Sequence, residues 1–172
     1  AGITKAKKSG CDCVIALGGG SVIDAAKAIV VGATNDQPVE KLIGLRKGKN
    51  KPLPLFAVPT TSGTGSEVTQ AAVLSEDATH AKRFLVDSRT VARVAVLDPV
   101  LIASLPPSVT ADTGMDALTH AIEACISKLS SPASDAFAIE AIALIFKHLP
   151  IFFKCKNSPF VLNIESIYLC SI

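Results

Sequence analysis

The chain has 172 residues, about one domain's worth, and is 49% hydrophobic and 19% charged; it excludes intrinsic disorder, because enough apolar surface exists to offset chain entropy. Seventeen basic and fifteen acidic residues leave a formal charge of +2, too balanced for the basic footprint of a nucleic-acid binder. Five cysteines with no paired C-x-x-C point away from a disulfide scaffold and toward a reducing, cytoplasmic compartment.

The first residues, with Lys5, Lys7 and Lys8 leading into Gly10, carry no signal-peptide pattern and read as the tail of a helix that starts earlier. Cys13 to Leu17 is a continuous apolar run closed by Gly18, Gly19 and Gly20, which predicts a strand buried on both faces, as in a parallel sheet. Ser21 follows as a predicted helix cap, with Asp24 three positions on and Val22, Ala25, Ala26 and Ile29 at helical spacing. Thr34 to Lys51 is polar and reads as a loop or short helix, and Leu53 to Val58 is a second buried strand ended by Pro59. Further strands are predicted over Val68 to Leu74, Phe84 to Val86 and Val91 to Leu97.

From Ser108 the period changes. Ala111, Met115, Leu118, Ile122 and Cys125 recur near every 3.6 residues, predicting one helix over about 109–129 and a second from Ser134 or Asp135 to Pro150. The change from α/β to all-α falls near Leu105-Pro106-Pro107. Beyond Pro150 the composition shifts again, with Phe152, Phe153, Phe160 and Tyr168 and no glycine. The longest apolar runs, such as Ala141 to Phe146, stop far short of the roughly 20 residues that span a bilayer, so no membrane helix is expected.

Three places could carry chemistry. Gly18-Gly19-Gly20-Ser21, between strand and helix, offers backbone N–H groups and the helix dipole to an anion such as phosphate, although a tight turn capped by Ser21 explains the same residues. The stretch matches neither G-x-G-x-x-G nor a P-loop. Pro59-Thr60-Thr61-Ser62-Gly63-Thr64-Gly65-Ser66-Glu67 sets five hydroxyls at a strand's carboxyl end, where α/β proteins bind nucleotides, and lacks the frame of a serine nucleophile elbow. Asp116 and His120 lie four apart on the predicted helix, so one divalent cation could be shared by both; the simpler alternative is an Asp–His hydrogen bond within the helix. His80, His148, Glu123 and the Cys11-Asp12-Cys13 pair are weaker leads, and Lys82 taken alone is a solvated cation.

Taken in order, Gly18-Gly19-Gly20-Ser21-x-x-Asp24-x-x-Lys27, then Pro59-Thr60-Thr61-x-Gly63-Thr64-Gly65-Ser66-Glu67-Val68-Thr69, Leu97-Asp98-Pro99, and Thr113-Gly114-Met115-Asp116-Ala117-Leu118-Thr119-His120-Ala121-Ile122-Glu123 resemble the iron-containing (group III) alcohol dehydrogenases. The resemblance covers about residues 1 to 150 and implies a dehydroquinate synthase-like architecture. Its parts would be a Rossmann-like α/β dinucleotide-binding domain over 1–105, lacking its first strands, the start of an all-helical metal-binding domain over 106–150, and a tail, 151–172, outside the pattern. Carried over by position, Gly19, Gly20, Ser21 and Asp24 hold the cofactor diphosphate, with Asp24 toward the nicotinamide. Thr60, Thr61 and Thr64 form a second cofactor segment, Val73 lines the site and Lys82 contacts the ribose.

The resemblance further implies that Asp116 and His120 are the first two of four metal ligands, for Fe(II) with Zn as the alternative. No side-chain nucleophile is required, because the metal acts as a Lewis acid while hydride passes between a small alcohol, diol or aldehyde and NAD or NADP. Two histidines that the family supplies from later helices have no counterpart before Pro150, so the chain alone is expected to be inactive and reads as a partial gene product whose tail comes from an intron or shifted frame. The parent is expected to be a cytoplasmic homo-oligomer with no nucleic-acid or membrane partner. A metal-free enzyme like maleylacetate reductase and a truncated, non-catalytic nucleotide-binding fragment are the competing readings.

Overall fold

The computed structural model describes residues 1–76, 79–103 and 105–154. The chain divides into two compact units, one made of Ala1–Pro59 with Ser66–Val96, the other of Thr60–Gly65 with the chain from Leu97 onward.

The first unit opens with helix α1 (Gly2–Ser9), ended by Gly10 in the left-handed conformation, and continues through strand β1 (Val14–Gly18) into helix α2 (Gly20–Thr34). A 3-10 turn (Val39–Leu42) and a two-residue strand β2 (Gly44–Leu45) follow. Then come β3 (Leu55–Pro59), β4 (Ala71–Ser75), β5 (Lys82–Val86) and β6 (Val94–Ala95). Two small sheets result: an all-parallel one in the order β1-β3-β6, and a mixed one in the order β2-β5-β4 with β4 antiparallel to β5.

Helix α2 lies between the two sheets, which is why its sequence is apolar on more than one face. Ile23, Ala26 and Val30 pack with Ala16, Leu55 and Ala57 of the parallel sheet, while Ala28 and Val31 pack with Leu42, Ala72 and Leu85 of the mixed one. Strand β1 departs from the expectation of burial on both faces. Ala16 points into the core, but Ile15 and Leu17 are 68% and 60% exposed, because α2 covers one face of this edge strand and no described element covers the other.

The second unit contains a short helix α3 (Pro99–Ala103) and two long ones, α4 (Pro107–Ile126) and α5 (Pro132–Lys154). Ala117, Leu118 and Ala121 of α4 pack against Ala141 and Ile145 of α5, the i, i+3, i+4 spacing of an amphipathic pair. The α/β start followed by helices is the incomplete Rossmann-like arrangement expected.

Several elements differ in detail. Helix α2 is capped by Gly19, so Ser21 sits inside the first turn instead of at the cap. The strand expected from Val68 begins only at Ala71, because Ser66 and Thr69 are drawn into side-chain bonds described below. The strand expected over Val91 to Leu97 shrinks to the two residues that pair with β3. Helix α5 runs through Pro150 for one further turn, although a proline removes its own helix N–H bond and crowds the preceding turn. The tail from residue 155 lies outside the described residues. Among the described residues no helix is long and apolar enough to cross a membrane.

Candidate functional site

The glycine turn joins β1 to α2. Gly18 has φ +154, and a Cβ there would sit 2.7 Å from Val22 Cγ2, so glycine is required by the sharp exit from the strand. Gly19 accepts at its carbonyl from the amides of Val22 (3.0 Å) and Ile23 (3.1 Å). The amides of Gly20 and Ser21, at the first positions of the helix, have no acceptor within it. The cap has no side chain to bond them and the first turn holds no acidic residue, which leaves the positive end of the helix dipole to an external anion. Ser21 is exposed beside it.

One turn further along α2 the chemistry becomes internal. The Asp24 carboxylate is 9% exposed; Oδ1 accepts from Ser66 Oγ at 2.5 Å and Oδ2 from the Val73 amide at 2.9 Å. Lys27, one helical step on, is wholly buried. Its ammonium donates to Ser66 Oγ (3.1 Å), Thr69 Oγ1 (3.1 Å) and the Ala71 carbonyl (2.7 Å), and lies 3.8 Å from Asp24 Oδ1. Burial lowers the Lys27 pKa to about 8, against the opposing pull of the Asp24 and Glu67 charges. Glu67 is itself buried, and that burial pushes its carboxyl above the usual range, with its backbone bond and Lys27 acting the other way.

The β4–β5 hairpin places two further candidates. Val73, 39% exposed, pairs with Phe84, 55% exposed, and Ser75 pairs with Lys82. These four residues share one face of the hairpin, since alternate strand positions point the same way. Lys82 Nζ donates to Ser75 Oγ across the ladder at 2.9 Å. Within this unit, then, Asp24 and Val73 are brought into direct contact, while Lys82 is bonded elsewhere.

In the second unit the hydroxyl loop packs against α4. Gly63 has φ +134, and a Cβ on it would lie 1.9 Å from the Thr113 carbonyl oxygen, so only glycine allows this approach. Thr61 Oγ1 and Ser62 Oγ are buried with no hydrogen-bond partner. Thr60 and Thr64 are half-buried. One turn beyond Thr113 stand Asp116 and His120, with side chains 48% and 43% exposed and His120 Nε2 3.7 Å from Asp116 Oδ1. That separation exceeds a hydrogen bond but is an i, i+4 ion-pair contact, so the simpler Asp–His pairing stands beside the metal reading. A carboxylate and an imidazole one turn apart are donor types that Fe(II) accepts. Among the described residues no third His, Cys, Asp or Glu joins them, and two donors fall short of the roughly four or more of a metal shell.

Sequence reasoning gave Lys27, Glu67 and Thr69 no role beyond their places in the family motifs, and took Ser66 as one of five loop hydroxyls and as a rejected nucleophile. A signal for the first existed: Lys27 interrupts Ala25-Ala26-Lys27-Ala28-Ile29-Val30-Val31, and a cation centred in an apolar helical run implies a buried partner.

Comparison with known proteins follows these features closely. The sequence profile of iron-containing alcohol dehydrogenase matches residues 1–99, and that of the C-terminal region of the Fe-containing alcohol dehydrogenase family matches residues 110–158. The likeness therefore passes Pro150, where it was expected to end. Alcohol dehydrogenase 4 of Schizosaccharomyces pombe is 43% identical over 148 residues, 86% of this chain and 35% of that protein. NAD-dependent methanol dehydrogenase of Bacillus methanolicus is 41% identical over 149 residues, 87% of this chain and 39% of its own length. Among solved structures, a 1,3-propanediol oxidoreductase superposes with a TM-score of 0.90 at 37% identity, covering 98% of this chain and 44% of the other. Sulfoacetaldehyde reductase from Bifidobacterium kashiwanohense in complex with NAD+ does so with a TM-score of 0.90 at 36% identity, covering 98% and 46%. The chain thus spans less than half the length of these relatives, and it belongs to the iron-containing alcohol dehydrogenase family.

Proposed function

We propose that this chain is the dinucleotide-binding and part of the metal-binding portion of an alcohol oxidoreductase that passes hydride between a small alcohol or aldehyde and NAD(H), with Fe(II) as its metal. The observation that carries the reading is the Asp116–His120 pair: two metal-type donors on one helix face, half-exposed and 3.7 Å apart. The preference for NAD follows the named cofactor of the methanol dehydrogenase and the complex of the sulfoacetaldehyde reductase.

The chain's own residues divide the work. The amides of Gly20 and Ser21, with the Ser21 hydroxyl, hold the diphosphate at the start of α2, where Gly19 keeps the approach clear of side chains. Val73 gives an apolar wall, Asp24 a fixed carboxylate and Lys82 a donor for the ribose. In the second unit the orphaned Thr61 Oγ1 and Ser62 Oγ support a loop whose hydrogen bonding is completed by a guest, to which Thr60, Thr61 and Thr64 would supply hydroxyls. Asp116 and His120 would hold the iron together with donors from outside the described residues. Iron bound there would supply Lewis-acid polarisation of a substrate oxygen, and a bound nicotinamide would supply hydride exchange. No residue of the chain needs to act as a nucleophile.

Titration of the 172-residue chain with NADH, followed by nicotinamide fluorescence, tests the dinucleotide half; anaerobic Fe(II) titration of the chain and of Asp116→Ala and His120→Ala tests the other. Saturable NADH binding, and Fe(II) binding lost in both variants, are expected. Absence of NADH binding, or Fe(II) binding unaltered by the substitutions, overturns the corresponding half. A second reading, a nucleotide-binding fragment without turnover, is favoured by the lack of a third metal donor among the described residues. NAD+ reduction by this chain with ethanol and added Fe(II) would dismiss it.

A further inference from the structure

Within the first unit lies a charged group that the cofactor assignment leaves unused. Among the described residues Lys27 is the largest side chain that is fully buried, and burying an ammonium is unfavourable unless its protons are bonded. All three are: they go to Ser66 Oγ, Thr69 Oγ1 and the Ala71 carbonyl. Ser66 passes its own proton on to Asp24 Oδ1, and Asp24 Oδ2 receives the Val73 amide. A continuous path therefore runs from the Lys27 ammonium through the Ser66 hydroxyl to the Asp24 carboxylate and the backbone of β4. The three acceptors of Lys27 fall within residues 66–71, the segment leading from the hydroxyl loop into β4, so one cation fastens that segment to α2 at three points.

We propose that Lys27 is a positioning residue for the dinucleotide site, acting through Ser66 and Asp24 to fix the Asp24 carboxylate and the Val73 backbone. The proposal rests on the dinucleotide reading given above. An apolar residue in place of Lys27 would fill the same volume between α2 and β4 and cost no desolvation. What it could not do is orient the Ser66 hydroxyl, whose proton must point at Asp24 for the carboxylate to keep its place. The path also explains why the chain from Ser66 to Thr69 turns instead of extending β4: its side chains must face the ammonium.

The test uses the 172-residue chain with Lys27→Met, which keeps length and removes the donors, Ser66→Ala, which cuts the path at its middle, and both together. NADH affinity is measured by fluorescence, and amide hydrogen exchange at Val73 reports the backbone directly. Each single change is expected to weaken NADH binding about tenfold, the effect of losing one charge-assisted hydrogen bond, and to speed Val73 exchange. The double variant is expected to be no weaker than either single one, because both cut one path. A purely structural staple would lower the melting temperature, leave NADH affinity unchanged and give additive losses, and that pattern overturns the proposal. Should Lys27→Met fail to fold, Ser66→Ala alone decides by the same two readouts. If the unaltered chain binds no NADH, the dinucleotide reading fails by itself; Val73 exchange then still judges the tether, and exchange unchanged in both variants refutes it.

Discussion

Replacing Lys27 with methionine is expected to abolish a rise in stability between pH 8 and pH 10. In the folded chain Lys27 loses its proton near pH 8, against 10.5 for the free side chain. At about 1.4 kcal/mol per pH unit, that gap makes holding the charged form inside the fold cost about 3 kcal/mol relative to the neutral one. Below pH 8 both folded and unfolded chains keep the proton and the cost is fully present. Between pH 8 and 10.5 the unfolded chain binds more protons than the folded one, so the free energy of unfolding climbs with pH at up to about 1.4 kcal/mol per unit. Urea unfolding followed by circular dichroism at pH 7, 8, 9 and 10 measures this, and the comparison with Lys27→Met removes contributions shared with other groups. The variant should show a flatter profile across that window, whatever its stability at pH 7, where relief from burying a charge is offset by the acceptors left at Ser66, Thr69 and Ala71. An unaltered chain whose stability stays level or falls from pH 8 to 10 relative to the variant would refute the reasoning.

Glu67 provides the acidic counterpart: burial raises its pKa above the usual 4.5, so the folded chain holds the proton more tightly, and stability falls as pH rises through that window. Glu67→Gln should remove this component from urea midpoints taken between pH 4.5 and 7, and an unchanged profile would count against it. Gly63→Ala places a methyl 1.9 Å from the Thr113 carbonyl at a φ of +134 and should destabilise by more than about 2 kcal/mol; a thermal melt within a degree of the parent would contradict the close approach. Asp116→Ala and His120→Ala remove half-exposed side chains whose mutual contact is screened by solvent, so each should change unfolding free energy by less than about 0.5 kcal/mol. A larger loss by denaturant titration would mean that the pair is structural after all.

The parts of the fold that follow from local periodicity were open to sequence reading. The apolar run ending in three glycines requires a strand and a turn, and the 3.6-residue spacing from Ala111 to Cys125 requires a helix, so β1, α2 and α4 fall within a few residues of expectation. The Asp116–His120 relation is of the same kind, since a four-residue interval on a helix fixes two side chains on one face. The misses share a nonlocal cause. Val68 to Leu74 has strand-forming residues throughout, yet its first part turns because Lys27, some 40 positions earlier, takes Ser66 and Thr69 as partners. Likewise the exposure of Ile15 and Leu17 depends on which elements are present to cover β1, which an apolar run cannot encode. Gly63 reads as part of a flexible loop until the Thr113 carbonyl is seen against it.

The two candidate half-sites differ in how far their chemistry is closed, and the difference has a consequence for ligand order. Around Asp24 the polar atoms satisfy one another: both carboxylate oxygens and all the lysine protons are taken by groups of the same unit, leaving the bare helix start at Gly20 and Ser21 as the open feature. Such a site is preorganised and needs little rearrangement to accept an anion. Around Asp116 the reverse holds, with two donors half-exposed, 3.7 Å apart and lacking a described third. A divalent ion gains little from two ligands against its hydration shell, so iron should bind this chain far more weakly than it binds a complete set. On the proposed dinucleotide reading, the chain should bind NADH with the same affinity in chelator as in Fe(II). Equal fluorescence titrations under the two conditions would support that independence, whereas NADH binding that appears only with Fe(II) would mean that the Asp24 cluster is not preorganised and that the metal organises the dinucleotide site.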